Sequence, residues 1–107
     1  MSPYKIIFHP EAKKEFDNLD GSVKKTVLKQ IEKLQESPTI GERLGNKAGM
    51  DLTGYWKVYA NKKQVRIVYS IQDDKLLVFL LAIGKREEMG VYHIAAQRKK
   101  KAGKSEN

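Results

Sequence analysis

Three β-rich segments follow one another almost without a break: Tyr55–Ala60, Gln64–Gln72 and Lys75–Ile83. Connections this short cannot carry a crossover, so neighbouring segments must run antiparallel. Asn61-Lys62 and Asp73-Asp74 read as two-residue hairpin loops. The result is a three-stranded meander whose apolar face the rest of the chain must cover.

The preceding residues supply that cover. Tyr4-Lys5-Ile6-Ile7-Phe8 reads as a short strand. Pro10 fits a first helical turn, with Glu11 favourable at its positive end, and Ala12, Phe16 and Leu19 follow at helical spacing. Asp20-Gly21-Ser22 interrupts, with Ser22 as the expected cap of a second helix. There Val23, Val27, Ile31 and Leu34 form one stripe, the lysines lie largely elsewhere, and Ser37-Pro38 ends the helix. Residues 39–53, with three glycines and little periodicity, predict a loop with one helical turn. A last helix is expected from about Glu88 into the Arg98–Lys101 run. The order β-α-α-β-β-β-α predicts an α+β fold, its helical hairpin packed on one face of a small antiparallel sheet. Residues 1–98 form the expected single domain. Residues 99–107 are a basic tail, its end expected to be disordered.

At 107 residues the chain is long enough for one domain and too short for two ordinary ones. The absence of cysteine excludes a disulfide scaffold, a thiolate metal site and a cysteine nucleophile. No apolar run reaches the ~18 residues of a membrane span, and Met1–Lys5 lacks a signal pattern, so a cytoplasmic location is expected. The net charge of +8 favours a polyanionic partner, nucleic acid or an acidic protein. The last eleven residues hold five of the basic groups and suit contact with RNA phosphates.

Alternation across the sheet decides where the strand cations point. With two-residue turns, Lys57 lies opposite Arg66, Arg66 lies opposite Leu81, and Ile83 shares their less buried face. Trp56, Val58, Val65, Ile67, Tyr69, Ile71, Val78 and Leu80 collect on the other face as the core. Arg86 emerges just past the neighbouring strand. Parity alone leaves two readings open: solvent-facing strand residues, or a cation cluster built for an anion. A scissile phosphodiester is such an anion, because cations stabilise the charge that builds during phosphoryl transfer. RNA brings its own nucleophile, the 2′-hydroxyl, so the chemistry needs neither metal nor cofactor. Tyr92 suits stacking on a base or holding a phosphate. Tyr55 and Tyr59 share the parity of Lys57, and either stacks on bases or packs across strands. His93 is a weaker acid–base candidate, and His9 suits a local structural role.

Gln64-Val65-Arg66-Ile67-Val68-Tyr69, Leu77-Val78-Phe79, Ile83-Gly84-Lys85-Arg86-Glu87 and Val91-Tyr92 resemble the RelE family of type II toxin–antitoxin toxins, within the RelE/ParE superfamily. The resemblance implies a ribosome-dependent endoribonuclease (mRNA interferase). It would cut mRNA in the A site by 2′-hydroxyl attack, leaving a 2′,3′-cyclic phosphate and a 5′-hydroxyl. It implies Lys57 as the first catalytic lysine and Arg66 as the transition-state arginine. Arg86 would be an acid or phosphate ligand, and Tyr92 the residue that orients substrate. Implied partners are a cognate antitoxin, mRNA and the ribosome with its small-subunit rRNA. The family's second strand lysine aligns with Tyr59 here, which leaves the general base open. Lys57 would serve as base only with a depressed pKa. Tyr59, Lys62, Lys63, Lys85 and Arg98 are the expected substrate contacts, with no metal ligands. The alternative within the superfamily is a ParE-like inhibitor of DNA gyrase that does not cleave RNA.

Overall fold

Strand β1 (Lys5–Phe8) leads into helices α1 (Pro10–Asp17) and α2 (Gly21–Glu36) of the computed structural model, which describes residues 4–47, 50–85, 92 and 94–98. Pro10 opens α1, and the His9 ring nitrogen Nδ1 accepts from the Glu11 N–H at 3.1 Å, the local role expected of that histidine. The N-cap of α2 is Asp20 rather than Ser22, which lies inside the first turn. A single 3-10 turn (Pro38–Ile40) and the short strand β2 (Glu42–Arg43) follow. A two-stranded ribbon of β3 (Asn46–Lys47) and β4 (Met50–Asp51) comes next, then the meander of β5 (Tyr55–Ala60), β6 (Val65–Gln72) and β7 (Leu77–Lys85). Residues 94–98 are helical, as is Tyr92. The rest of the expected last helix and the tail after Arg98 lie outside the described residues.

The main sheet has the order β1-β7-β6-β5-β2. It is mixed rather than purely antiparallel, because β1 joins the edge of β7 in parallel. The two helices between them give that crossover the length it needs. Helix α2 lays Val27, Ile31 and Leu34 on Val58, Ile67, Tyr69, Val78 and Leu80, all buried. Trp56 and Ile71 pack at the rim of this core, so the predicted apolar face is the observed one. Each such side chain, fully buried, contributes about 1.5–3 kcal/mol of transfer free energy.

Three further sequence expectations change. First, the β5–β6 connection is four residues, Asn61 to Gln64, with positive φ at Asn61, Lys62 and Lys63. Lys57 therefore pairs with Val68, and Tyr59 takes the place opposite Arg66. The pairing moves by two positions, so the face of every side chain is kept.

Second, the β6–β7 connection contains a 3-10 turn (Asp73–Lys75) with Leu76 left-handed, and a bulge interrupts the ladder between Val68 and Tyr69. Tyr69 pairs with Leu80 but Val68 with Ala82, so Leu81 is extra. Arg66 consequently lies opposite Gly84 rather than Leu81. Ile83 belongs to the helix-facing core, away from the arginine. A bulge of this kind reverses side-chain phase along its strand, which alternation alone does not reveal.

Third, the face read as less buried carries a core of its own. Leu44, Leu52, Tyr92 and Ala95 bury Val68, Leu81 and Ala82 there in a second core, with Phe79 partly buried beside them.

Beyond Leu80, β1 no longer covers the β7 edge. There the Arg98 guanidinium donates to the Leu81 carbonyl at 2.8 Å, and the Ile83 N–H donates to the Glu15 carboxylate at 3.1 Å. Arg98 and Glu15 also pair in bidentate fashion, both bonds 2.9 Å. The ion pair continues the edge pairing where β1 stops, so exposed ladder groups find partners. On β5's other side the chain passes close at Gly41, where any Cβ would overlap the Lys57 carbonyl and the Tyr69 hydroxyl.

Candidate active site

Strand alternation places Lys57 and Tyr59 of β5, and Arg66 of β6, on one face. Lys57 Nζ donates to the Tyr59 hydroxyl at 3.0 Å and stands 3.9 Å from the Glu42 carboxylate on β2. Glu42 is carried there by the β2–β5 pairing, which sets it directly opposite Lys57. Its loop segment has no periodicity from which this could be read. The Arg66 guanidinium carbon lies 4.2 Å from the Tyr92 ring centroid and 5.7 Å from that of Tyr59. Both distances are within cation–π range. Arg66 is 7% exposed and Tyr92 2%. The arginine is thus packed under two aromatic rings rather than held out into solvent. This is the planar, weakly hydrated cation that such a setting suits.

The electrostatics follow from these contacts. The hydrogen bond from Lys57 pulls the Tyr59 phenol down to about 8. Partial burial opposes this with the next largest effect, and the hydrogen bond and charge of Arg66 assist the lowering. The same Lys57–Tyr59 hydrogen bond raises the pKa of Lys57, outweighing its desolvation, and Glu42 adds to the rise. Lys57 is therefore a firm cation at neutral pH, and the depressed pKa a lysine base requires is not found.

The other candidates separate. Lys62 and Lys63 are exposed at the β5–β6 turn, one element-end away from Tyr59. Lys85 pairs with Val65 and lines a cleft with Asp20, Asn61 and Gln64 on the helical side, opposite to Arg66. Arg98, committed to Glu15 and the Leu81 carbonyl, has a 12% exposed side chain and ties the C-terminal segment to the sheet. Neither Lys85 nor Arg98, both expected substrate contacts, therefore lies in the Lys57–Arg66 group. Tyr55 packs on the second core, and Trp56 stacks on Tyr69 at 6.3 Å, both in packing roles. Arg86 and His93 lie outside the described residues. Among the described residues, no group of three or more His, Cys, Asp or Glu is placed to hold a metal ion. No described helix is long and apolar enough to cross a membrane.

Residues 6–90 match the family model described as ParE toxin of type II toxin-antitoxin system, parDE. The mRNA interferase toxin RelE of Escherichia coli K12 is 32% identical over 95 residues, covering 89% of this chain and 96% of the relative. The free E. coli RelE toxin, solved as a double-arginine variant, superposes with a TM-score of 0.72 at 30% identity, covering 92% of this chain and 98% of that one. The toxin in the intact E. coli RelBE toxin–antitoxin complex gives 0.63 at 31%, covering 79% and 99%. With most of its length matched to the family model and nearly the whole of RelE aligned to it, the chain belongs to the RelE family of toxins of type II toxin–antitoxin systems.

Proposed function

We propose that this toxin is a ribosome-dependent endoribonuclease that cuts mRNA in the ribosomal A site and so stops translation in the cytoplasm. The observation that carries the reading is the pair of cations on one sheet face, Lys57 and Arg66, gathered around the Tyr59 phenol. Two positive charges held this close repel unless an anion joins them, and a phosphodiester in transit to its transition state is such an anion. Lys57 and Arg66 stabilise the phosphoryl oxygens, Tyr92 orients the strand, and Arg86 contributes a further phosphate contact. The 2′-hydroxyl of the RNA is the nucleophile, so no metal is required. Lys62 and Lys63 contact the backbone from the turn. A cognate antitoxin neutralises the protein, a partnership supported by relatives solved as toxin–antitoxin complexes.

The ParE description of the matching family model favours a second reading, a gyrase inhibitor on the same fold. Toeprinting on programmed ribosomes separates the two. Cut mRNA in the A site, with 2′,3′-cyclic phosphate ends, is the expected result, and a 2′-deoxy nucleotide 5′ of the scissile bond should stop it. Intact mRNA together with trapped gyrase–DNA cleavage complexes would establish the second reading instead.

A further inference from the structure

The site as described has charge to stabilise a transition state but no assigned group to take the proton from the 2′-hydroxyl. Lys57 does not fill that role, since its ammonium is held protonated by its hydrogen bond to Tyr59. Glu42 is the carboxylate that pairs with Lys57 in this cluster. The Glu42 side chain is 74% exposed, across Lys57 from Arg66.

Resting on the endoribonuclease reading, we infer that Tyr59 is the general base of the reaction, its phenolate oxygen accepting the 2′-hydroxyl proton. Three features of placement argue for it. Tyr59 lies directly opposite Arg66 and two residues from Lys57, between the two cations that would hold the phosphate. Its oxygen is 3.0 Å from the Lys57 ammonium, so a negative charge there is paired rather than exposed. The residue is half-buried rather than sealed, which leaves its hydroxyl within reach of a substrate.

Among the described residues, Lys57 from its own strand and Arg66 from β6 face it, with Tyr92 from the C-terminal segment behind Arg66 and Glu42 from β2 behind Lys57. The hydrogen bond from Lys57, with Arg66 assisting, favours the phenolate, in line with a pKa of about 8. About a tenth of the molecules are then ionised at pH 7. The step balances without a co-reactant other than water. The 2′-O–H bond breaks and its proton passes to Tyr59 Oη. The 2′-oxygen bonds to phosphorus, and the P–O5′ bond breaks. The departing 5′-oxygen takes a proton from water, and Tyr59 returns its own to solvent.

The test is single-turnover cleavage of ribosome-bound mRNA across pH 6–9. Wild type should show a rate that climbs with pH and levels above about 8. Tyr59→Phe keeps the ring over Arg66 and the strand propensity but removes the oxygen. It should cut about 10²- to 10⁴-fold more slowly and lose that climb. A ring-fluorinated tyrosine at position 59, which is more acidic and nearly isosteric, should displace the climb to lower pH. A merely structural ring would leave the profile where it was. Tyr59→Phe cutting at the wild-type rate, or a fluorinated protein with an unmoved profile, overturns the base assignment while the endoribonuclease reading stands. A wild-type protein that leaves ribosome-bound mRNA uncut at every pH overturns the reading itself, and the base role with it.

Discussion

Arg66 combines two demands that rarely meet in one residue. It is almost wholly buried, yet it carries a charge at the centre of the candidate site. Its stacking partners Tyr59 and Tyr92 ease that burial, because aromatic faces attract a guanidinium whose hydration is already weak. A lysine would lose the planar stacking surface, so Arg66→Lys is not a conservative change. Arg66→Ala should reduce single-turnover cleavage by at least two orders of magnitude, the effect of removing one transition-state charge contact of about 3–4 kcal/mol. Far-ultraviolet circular dichroism and a thermal melt must accompany the rate, because Tyr92 loses its neighbour as well. Wild-type cleavage by a folded Arg66→Ala protein would remove the arginine from the mechanism. The identity and face of this residue were legible from alternation alone. Its burial was not, because the rings that cover it arrive from Tyr59 on the facing strand and from Tyr92, some 26 positions on in the chain.

Among the elements, β7 is the one whose edge changes partner halfway, from β1 to the Glu15–Arg98 ion pair. Breaking that pair leaves half-buried groups without their charged hydrogen bonds. Arg98→Ala should therefore cost about 2 kcal/mol. Glu15→Gln should also speed amide exchange at Ile83, whose N–H it holds. The exposed pair of Lys13 and Asp17 on α1 is the control, and Lys13→Ala should cost under about 0.5 kcal/mol. Equal losses from both would mean that the pair is no more than surface decoration. No periodicity announces a contact between residues 15 and 98, so Arg98 read as the start of a basic run and as a substrate contact. The element order and helical hairpin, by contrast, were written in the Val27, Ile31 and Leu34 stripe and in the β-branched runs. The Lys57–Arg66 face survived an error in turn length because the error was even.

At the scale of the molecule, two cores grip one sheet, and Tyr69 joins the helix-side core to the loop that follows α2. Its buried hydroxyl donates to the Pro38 carbonyl at 2.7 Å, and burial pushes its pKa up to about 12. A phenol raised above its unfolded value near 10 stabilises the fold fully below pH 10. That contribution is lost as pH rises through about 12. Tyr69→Phe should thus be less stable than wild type at pH 8 by about 1 kcal/mol, the loss of one hydrogen bond. The gap should narrow as denaturant melts are repeated between pH 10 and 12. A constant gap would show that the hydroxyl titrates as if exposed.

The extra residue in β7 has a consequence for the same sheet. Continued without interruption from the Tyr69–Leu80 pair, the strand would seat Ile83 beside Arg66, and a branched side chain would compete with the guanidinium for space under Tyr92. Leaving Leu81 unpaired puts Gly84 there instead, a neighbour with no side chain at all. Read this way, Leu81 is a spacer that exchanges isoleucine for glycine at the one position where an arginine has to lie flat. Flattening the bulge with Leu81 retained in the ladder would turn the far half of the strand over and close the arginine's berth without touching any residue that bears charge.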